Sequence, residues 1–448
     1  MDKNTLSNYG WIVIAVLVLS VMIALATPFG GYIRAGVENT VQGLFETEDA
    51  ALGKVLDDMG IVPTTDQLQS KHKFDYYSTF RGAIADANAN TIGVNADATK
   101  DSATAGIYTD ENGGVNVVLL QDTTEATRIS PAADMTINLG GNTLTIENDY
   151  IGIVGAKNHT DTITIDGHLD GSAVVLNGVV GGGYSIQTRT NNFIINGGTY
   201  KIIESISYEG VASVLYVSSG GSATINDCEI IGINTSEDAS KKNAGVCGVI
   251  NSGNTTINNT ITKGYSNYMS STTGGVASHG IANLNTLTLN NCYAFGTHSG
   301  IQNLGTLYVN GGTYEGYGHG GFYFSGNGTT SYVRDAIIRQ CAMLDGYTAT
   351  NSTNDAGLYI GGTVGMNNIS VYMDNCDIYG SRRPIVLRGT DGEQNNSLYI
   401  SNSNINTSAK IRIDNDTHKL YIGKGNNFTA ENTTRPSSVI ITDETYCQ

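Results

Sequence analysis

Three histidines recur once per repeat, each just before a glycine-hydrophobic stretch: His279-Gly-Ile, His298-Ser-Gly-Ile and His319-Gly-Gly-Phe. A chain that winds with that period would bring them into one surface column. Stacked imidazoles can bind a metal or change charge near pH ~6. The same period also fits a polar corner tolerated once per coil, so no catalytic, metal or cofactor-binding residue is assigned. Asp355 and Arg383 hold analogous places further on, before Gly357-Leu and Pro384-Ile. Asp374, Asp377, Arg382, Arg383 and Arg388 form the one local cluster of acids and bases, without a recognisable motif. Cys228, Cys292 and Cys376 share a phase, each two residues after Asn226, Asn290 or Asp374. The first two would lie two coils apart, about 9.6 Å at strand spacing, which is beyond disulfide reach. They read as small apolar core residues. Cys247, Cys341 and Cys447 show no pairing spacing, so no disulfide framework follows. The Asn-x-Ser/Thr triplets at Asn158, Asn234, Asn327 and Asn368 carry little weight in a chain this rich in Asn and Thr.

What must position these residues is a repeat. Alternating β-formers followed by Asn or Asp recur as Met135-Thr-Ile-Asn138, Thr162-Ile-Thr-Ile-Asp166, Phe193-Ile-Ile-Asn196, Ala223-Thr-Ile-Asn226 and Thr255-Thr-Ile-Asn258. Leu287-Thr-Leu-Asn290, Leu307-Tyr-Val-Asn310 and Val371-Tyr-Met-Asp374 continue the series, with weaker copies at Leu398-Tyr-Ile-Ser401 and Leu420-Tyr-Ile-Gly423. The anchors are spaced by 28, 30, 30, 32, 32 and 20 residues, and the interval from Asn310 to Asp374 holds two or three degenerate turns. A β pattern at this period means a solenoid. Each unit carries more than one strand, as in Gly280-Ile-Ala-Asn followed by Thr286-Leu-Thr-Leu-Asn290. Two or three short strands per coil joined by Asn and Gly corners describe a right-handed parallel β-helix. Equivalent residues then stack about 4.8 Å apart, and Asn at a repeated corner can form an amide ladder. Tyr77 to Ala87 reads as a short amphipathic helix, capped by Ser78 or Thr79, that covers the end of the stack.

Composition narrows the classes. The 448 residues carry a net charge of -17, 56 glycines, five prolines and one tryptophan, with 15% charged residues and a mean hydropathy of -0.13. That hydropathy excludes a polytopic membrane protein. A pI near 4.7 argues against a nucleic-acid partner, since phosphate binding needs clustered Lys and Arg.

The N-terminus is different in kind. Trp11, Ile12, Val13, Ile14, Val16, Leu17, Val18, Leu19, Val21, Met22, Ile23 and Leu25 form an apolar run long enough, with its flanks, to cross a bilayer as a helix. Three readings stay open: a membrane anchor, a filament-core helix, or a signal cleaved after Ala24-Leu25-Ala26. Beyond Pro28-Phe29-Gly30-Gly31, the residues Ile33, Val37, Val41 and Leu44 continue at helical spacing.

At its repeats, over about residues 75–440, the chain resembles the pectin-lyase-like β-helix superfamily in the form found on bacterial surface proteins. Over about residues 1–60, a hydrophobic helix continued by an amphipathic one resembles a pilin-like subunit, without the glutamate that type IV pilins carry near the start of the mature helix. The superfamily includes enzymes. Gly318-His319-Gly320 echoes the Gly-His-Gly of polygalacturonases, but their Asn-Thr-Asp and Arg-Ile-Lys motifs do not occur, and the sole Asp-Asp is Asp57-Asp58. The carboxylate pair of glycoside hydrolysis cannot be assigned, nor the acidic Ca²⁺ site of a pectate lyase.

The expectation is therefore an all-β protein, a right-handed parallel β-helix solenoid of about ten coils preceded by a long N-terminal hydrophobic and amphipathic α-helix. Residues 1–32 form the hydrophobic helix, 33–75 a stalk, 76–130 the solenoid cap and 131–448 the β-helix. The implied function is that of a non-catalytic extracellular surface or pilus-like filament subunit, with no cofactor. Its partners would be the membrane or copies of itself through the helix, and a glycan or host-surface ligand on the β-helix. The alternative is a membrane-anchored polysaccharide lyase or glycoside hydrolase.

Overall fold

The structure, a computed structural model, describes residues 64–147, 151–167, 173–177, 183–203, 211–234, 245–266, 278–340, 356–362, 366–380, 382–389, 394–406 and 409–447. The chain divides into two compact units, Met1–Lys71 and His72–Gln448. In the first, the described residues hold one short helix, Thr65–Lys71. The apolar run from Trp11 to Leu25 and the amphipathic stretch after it lie outside the described residues. Among the described residues, no helix is long and apolar enough to cross a membrane.

The second unit is built from short strands in long parallel sheets. Alternation does the local work: in Thr286-Leu-Thr-Leu-Asn290, Leu287 and Leu289 are fully buried while Thr286 and Thr288 face outward. A first ladder stacks the Asn-anchored strands in parallel, from Val115–Leu119 through Met135–Asn138 and Thr162–Gly167 to Val439–Ile441. A second ladder takes the strands after each anchor, from Thr123–Glu125 to Asn404–Ile405. Strands Thr286–Gly296, Thr306–Gly316 and Thr330–Gln340 run unbroken through both ladders and join them into one 23-stranded network. A third ladder of ten parallel strands runs from Ile151–Val154 to Arg412–Ile413. The chain visits the third, first and second ladders in turn, so one winding adds a rung to each. Among the described residues, this third ladder holds ten strands. The interval between Asn310 and Asp374 holds two turns, divided at Arg334.

Register keeps like residues over like. Ile165, Ile195, Ile225, Ile257 and Leu289 stack as one buried column inside the first ladder. The corner between first and second ladders repeats too. From Asp227 on, the residue after the anchor is left-handed at most rungs, with φ of 47 to 56° at Asp227, Asn259, Asn291, Asp335, Asn375 and Asn402. Asn and Asp tolerate that region where most side chains do not. The next residue turns inward and is small, as at Cys228, Thr260, Cys292, Ala336 and Cys376.

The N-terminal end is closed by three antiparallel strands, Asp75–Tyr77, Ala105–Thr109 and Val115–Leu119, the last of which starts the first ladder. Helix Phe80–Ala89 packs against them. Thr79 is its N-cap, accepting a 3.1 Å hydrogen bond from the Gly82 amide. Phe80, Ala83, Ile84 and Ala87 recur at helical spacing and join the continuous core.

Candidate functional site

Two features of the described surface could do chemistry or bind: a histidine-tyrosine-arginine cluster on the third ladder and the outward face of the first. In the cluster, His298 and His319 occupy equivalent positions, since the His319 amide donates to the His298 carbonyl at 2.6 Å. His279 stands one residue out of phase, in register with Ser299, and its Nδ1 lies 2.6 Å from Ser299 Oγ. The rings still meet, with centroids 5.0 Å apart for His279–His298 and 4.2 Å for His298–His319. The column forms, but not as a surface one. His279 is 1% exposed and the other two are half-buried, because glycines on both sides let the second and third ladders close around them.

That enclosure keeps the imidazoles neutral. Burial pushes His298 down to about 4. Burial, and then the neighbouring rings, push His279 well down too; His319 is lowered by burial, then by His298 and Arg388. Edge-on and tilted ring packing leaves no convergent set of nitrogens. Among the described residues, no group of His, Cys, Asp or Glu is arranged to hold a metal ion.

Beside the column lie Tyr323, stacked on His319 at 4.8 Å, and Tyr359, edge-on to it at 4.9 Å. Arg388 Nη1 donates to the Tyr359 hydroxyl at 2.6 Å. Burial works against the Arg388 charge, but Tyr359, Asp414 and Tyr323 together more than offset it and raise its pKa. The acid-base cluster expected from the sequence is split. Arg383 and Arg388 end one strand of the third ladder, whereas Asp374 and Asp377 belong to the first and second. The residues that do share the Arg388 surroundings are Tyr359, Arg412 and Asp414, the last two paired with each other. Asp355 lies outside the described residues. With Asp414 engaged by Arg412 and the histidines held neutral, the described residues of the cluster offer a cation and phenols but no free pair of carboxylates.

The first ladder's outer face consists of three columns. The anchor column is an amide ladder: Asn226 donates to Asn196, Asn258 to Asn226, Asn290 to Asn258 and Asn310 to Asn290, all at 2.7–2.8 Å. Arg334 Nε closes it on Asn310 Oδ1 at 2.6 Å. A second, buried ladder links Asn251, Asn283 and Asn303 at 2.8 and 2.6 Å. In the middle column, threonine at 224, 256 and 288 gives way to tyrosine at 308, 332, 372, 399 and 421. The third column is short: Thr306, Thr330, Ser370 and Ser397. Tyr308 and Tyr332 are 40% and 38% exposed. The tyrosine stack was not singled out from sequence, although its signal is there, since Leu307-Tyr-Val, Val371-Tyr-Met, Leu398-Tyr-Ile and Leu420-Tyr-Ile all place tyrosine at the same offset.

Cys228, Cys292 and Cys376 are free, buried and bonded to backbone carbonyls, Cys292 Sγ to Ile257 O at 3.2 Å for example. Burial raises all three thiols, Cys292 to about 11 and Cys376 to about 12, so they are inert. Cys341 lies outside the described residues. No protein-family model matches this chain, and neither the curated proteins nor the solved structures yield a match.

Proposed function

We propose that the protein is a non-catalytic extracellular surface or filament subunit whose solenoid is a right-handed, pectin-lyase-like β-helix. Residues 1–32 would anchor or polymerise it, and the outer face of the first ladder would be its contact surface for glycans or host-surface molecules. The observation that carries this reading is the half-exposed tyrosine column, flanked on one side by the short hydroxyls of Thr306, Thr330, Ser370 and Ser397 and on the other by the mixed polar anchors Asn310, Arg334, Asp374 and Ser401. One weak contact repeated on a rigid scaffold multiplies into avidity. Tyrosine also supplies large, rigid, amphipathic contact area at low entropic cost. The acidic chain suits neutral or basic ligands over anionic ones.

The alternative, a polysaccharide lyase or hydrolase, would use the face with His319, Tyr359 and Arg388. The two readings part in one experiment. Full-length protein in mild detergent is tested for retention on immobilised polysaccharides and for release of reducing or unsaturated ends. Expected are retention that the Tyr332→Ala, Tyr372→Ala double variant weakens, and no product. Product formation lost in Arg388→Ala would replace this reading with the enzymatic one.

A further inference from the structure

The five tyrosines are unusual in how their rings meet. Down the stack, centroids are 5.6, 5.2, 4.4 and 4.3 Å apart, with interplanar angles between 6° and 13°. The tight end is Tyr372–Tyr399–Tyr421, where the Tyr399 ring is stacked on both neighbours. Tyr446 braces it, edge-on to Tyr399 at 5.5 Å. Phenols stacked in contact and half-open to solvent are arranged to lose an electron and a proton and then find a partner ring without diffusion.

We propose that Tyr372, Tyr399 and Tyr421 form an oxidative modification site, at which a haem peroxidase using hydrogen peroxide couples adjacent rings into dityrosine and staples neighbouring rungs. Each of two phenols gives up one electron and its hydroxyl proton, and the peroxide accepts both pairs to become two waters. The two phenoxyl radicals join by one bond between ring carbons ortho to oxygen. The hydrogens on those carbons move to the oxygens and restore two phenols. Holding the rings together gives the coupling a high effective concentration. Collisions between two chains, each of net charge -17, are disfavoured, so coupling stays within one molecule. The bond would fasten the last coils, whose final first-ladder strand, Val439–Ile441, is three residues long. This chemistry does not depend on what the face binds.

The test uses dilute full-length protein with a haem peroxidase and hydrogen peroxide. Tyr372, Tyr399 and Tyr421 fall on three different tryptic peptides, separated by Arg382, Arg388, Lys410, Arg412 and Lys419. Expected are blue dityrosine fluorescence in the monomer band and joined peptides, two hydrogens lighter, linking Tyr399 to Tyr372 or to Tyr421. Tyr399→Phe keeps the ring and the fold. It should abolish both joins and lower the fluorescence by their share, since Tyr372 and Tyr421 stand two rungs, about 10 Å, apart. Tyr308→Phe should change neither. Dityrosine confined to crosslinked dimers, or undiminished monomer fluorescence in Tyr399→Phe, would overturn the proposal.

Discussion

A histidine buried neutral is a debt called in by acid. The unfolded chain protonates its imidazoles near pH ~6.5, whereas His298 in the folded protein holds out to about 4, and His279 and His319 are lowered too. Between those limits the unfolded state binds more protons, so stability falls as pH falls. It is fully present above pH ~6.5 and lost progressively through the window that ends near the folded value. Arg388 beside His319 adds repulsion against any imidazolium that forms. His298 alone accounts for a loss on the order of 3 kcal/mol, which is an upper figure for a half-buried ring. Urea midpoints measured from pH 7 to pH 4 should drop over this range, and His298→Gln should flatten the drop. An unaltered slope in that variant would place the acid sensitivity elsewhere. At this scale the sequence was partly legible. The period of His279, His298 and His319 is written in their spacing, but their burial is not, because it depends on glycines contributed by a different ladder. The split of Asp374 and Asp377 from Arg383 and Arg388 was invisible for a related reason: neighbours along the chain lie on different faces wherever a corner intervenes.

Between the second and third ladders the backbones approach without side chains. Gly232, Gly264, Gly296 and Gly316 stack in one column of the second ladder, and Gly248, Gly280, Gly300 and Gly321 sit opposite in the third. A Cβ on Gly296 would strike the Ser299 carbonyl, the His279 Cα and the Ser278 carbonyl, all of them backbone. Nothing there can rotate away, so Gly296→Ala should cost about 1–3 kcal/mol or more. Gly113→Asn is the matched control. It has positive φ and open space around it, and Asn tolerates that conformation, so its denaturation midpoint should hardly move. Equal losses in both variants would mean that backbone conformation, not contact between ladders, is what glycine supplies. The elements themselves read well from sequence: strand alternation, Asn anchors and the Thr79-capped helix all follow local rules. The tyrosine stack was hidden because one tyrosine per rung is unremarkable until register sets five of them in line.

The continuous core of a stack of rungs is built from neighbour contacts; each rung buries its apolar residues against the one before and the one after. Stability should then be a sum of neighbour terms, with the ends weakest. At the N-terminal end the helix carrying Phe80, Ala83 and Ile84 covers apolar residues that would otherwise face water. Phe80 is fully buried, and Phe80→Ala should cost about 3–5 kcal/mol locally. If rungs communicate only with neighbours, that cost loosens the end and spares the middle. Amide hydrogen exchange should lose protection in Ala105–Thr109, Val115–Leu119 and Met135–Asn138. Protection in Thr286–Gly296 and Thr306–Gly316, whose continuous strands tie two ladders together, should persist. An exposed end is also an unpaired strand edge, so light scattering should rise with concentration in the variant and not in the parent. Uniform loss of protection along the whole chain would show instead that the solenoid unfolds as one cooperative unit. The cap would then act as its keystone, not merely as a lid.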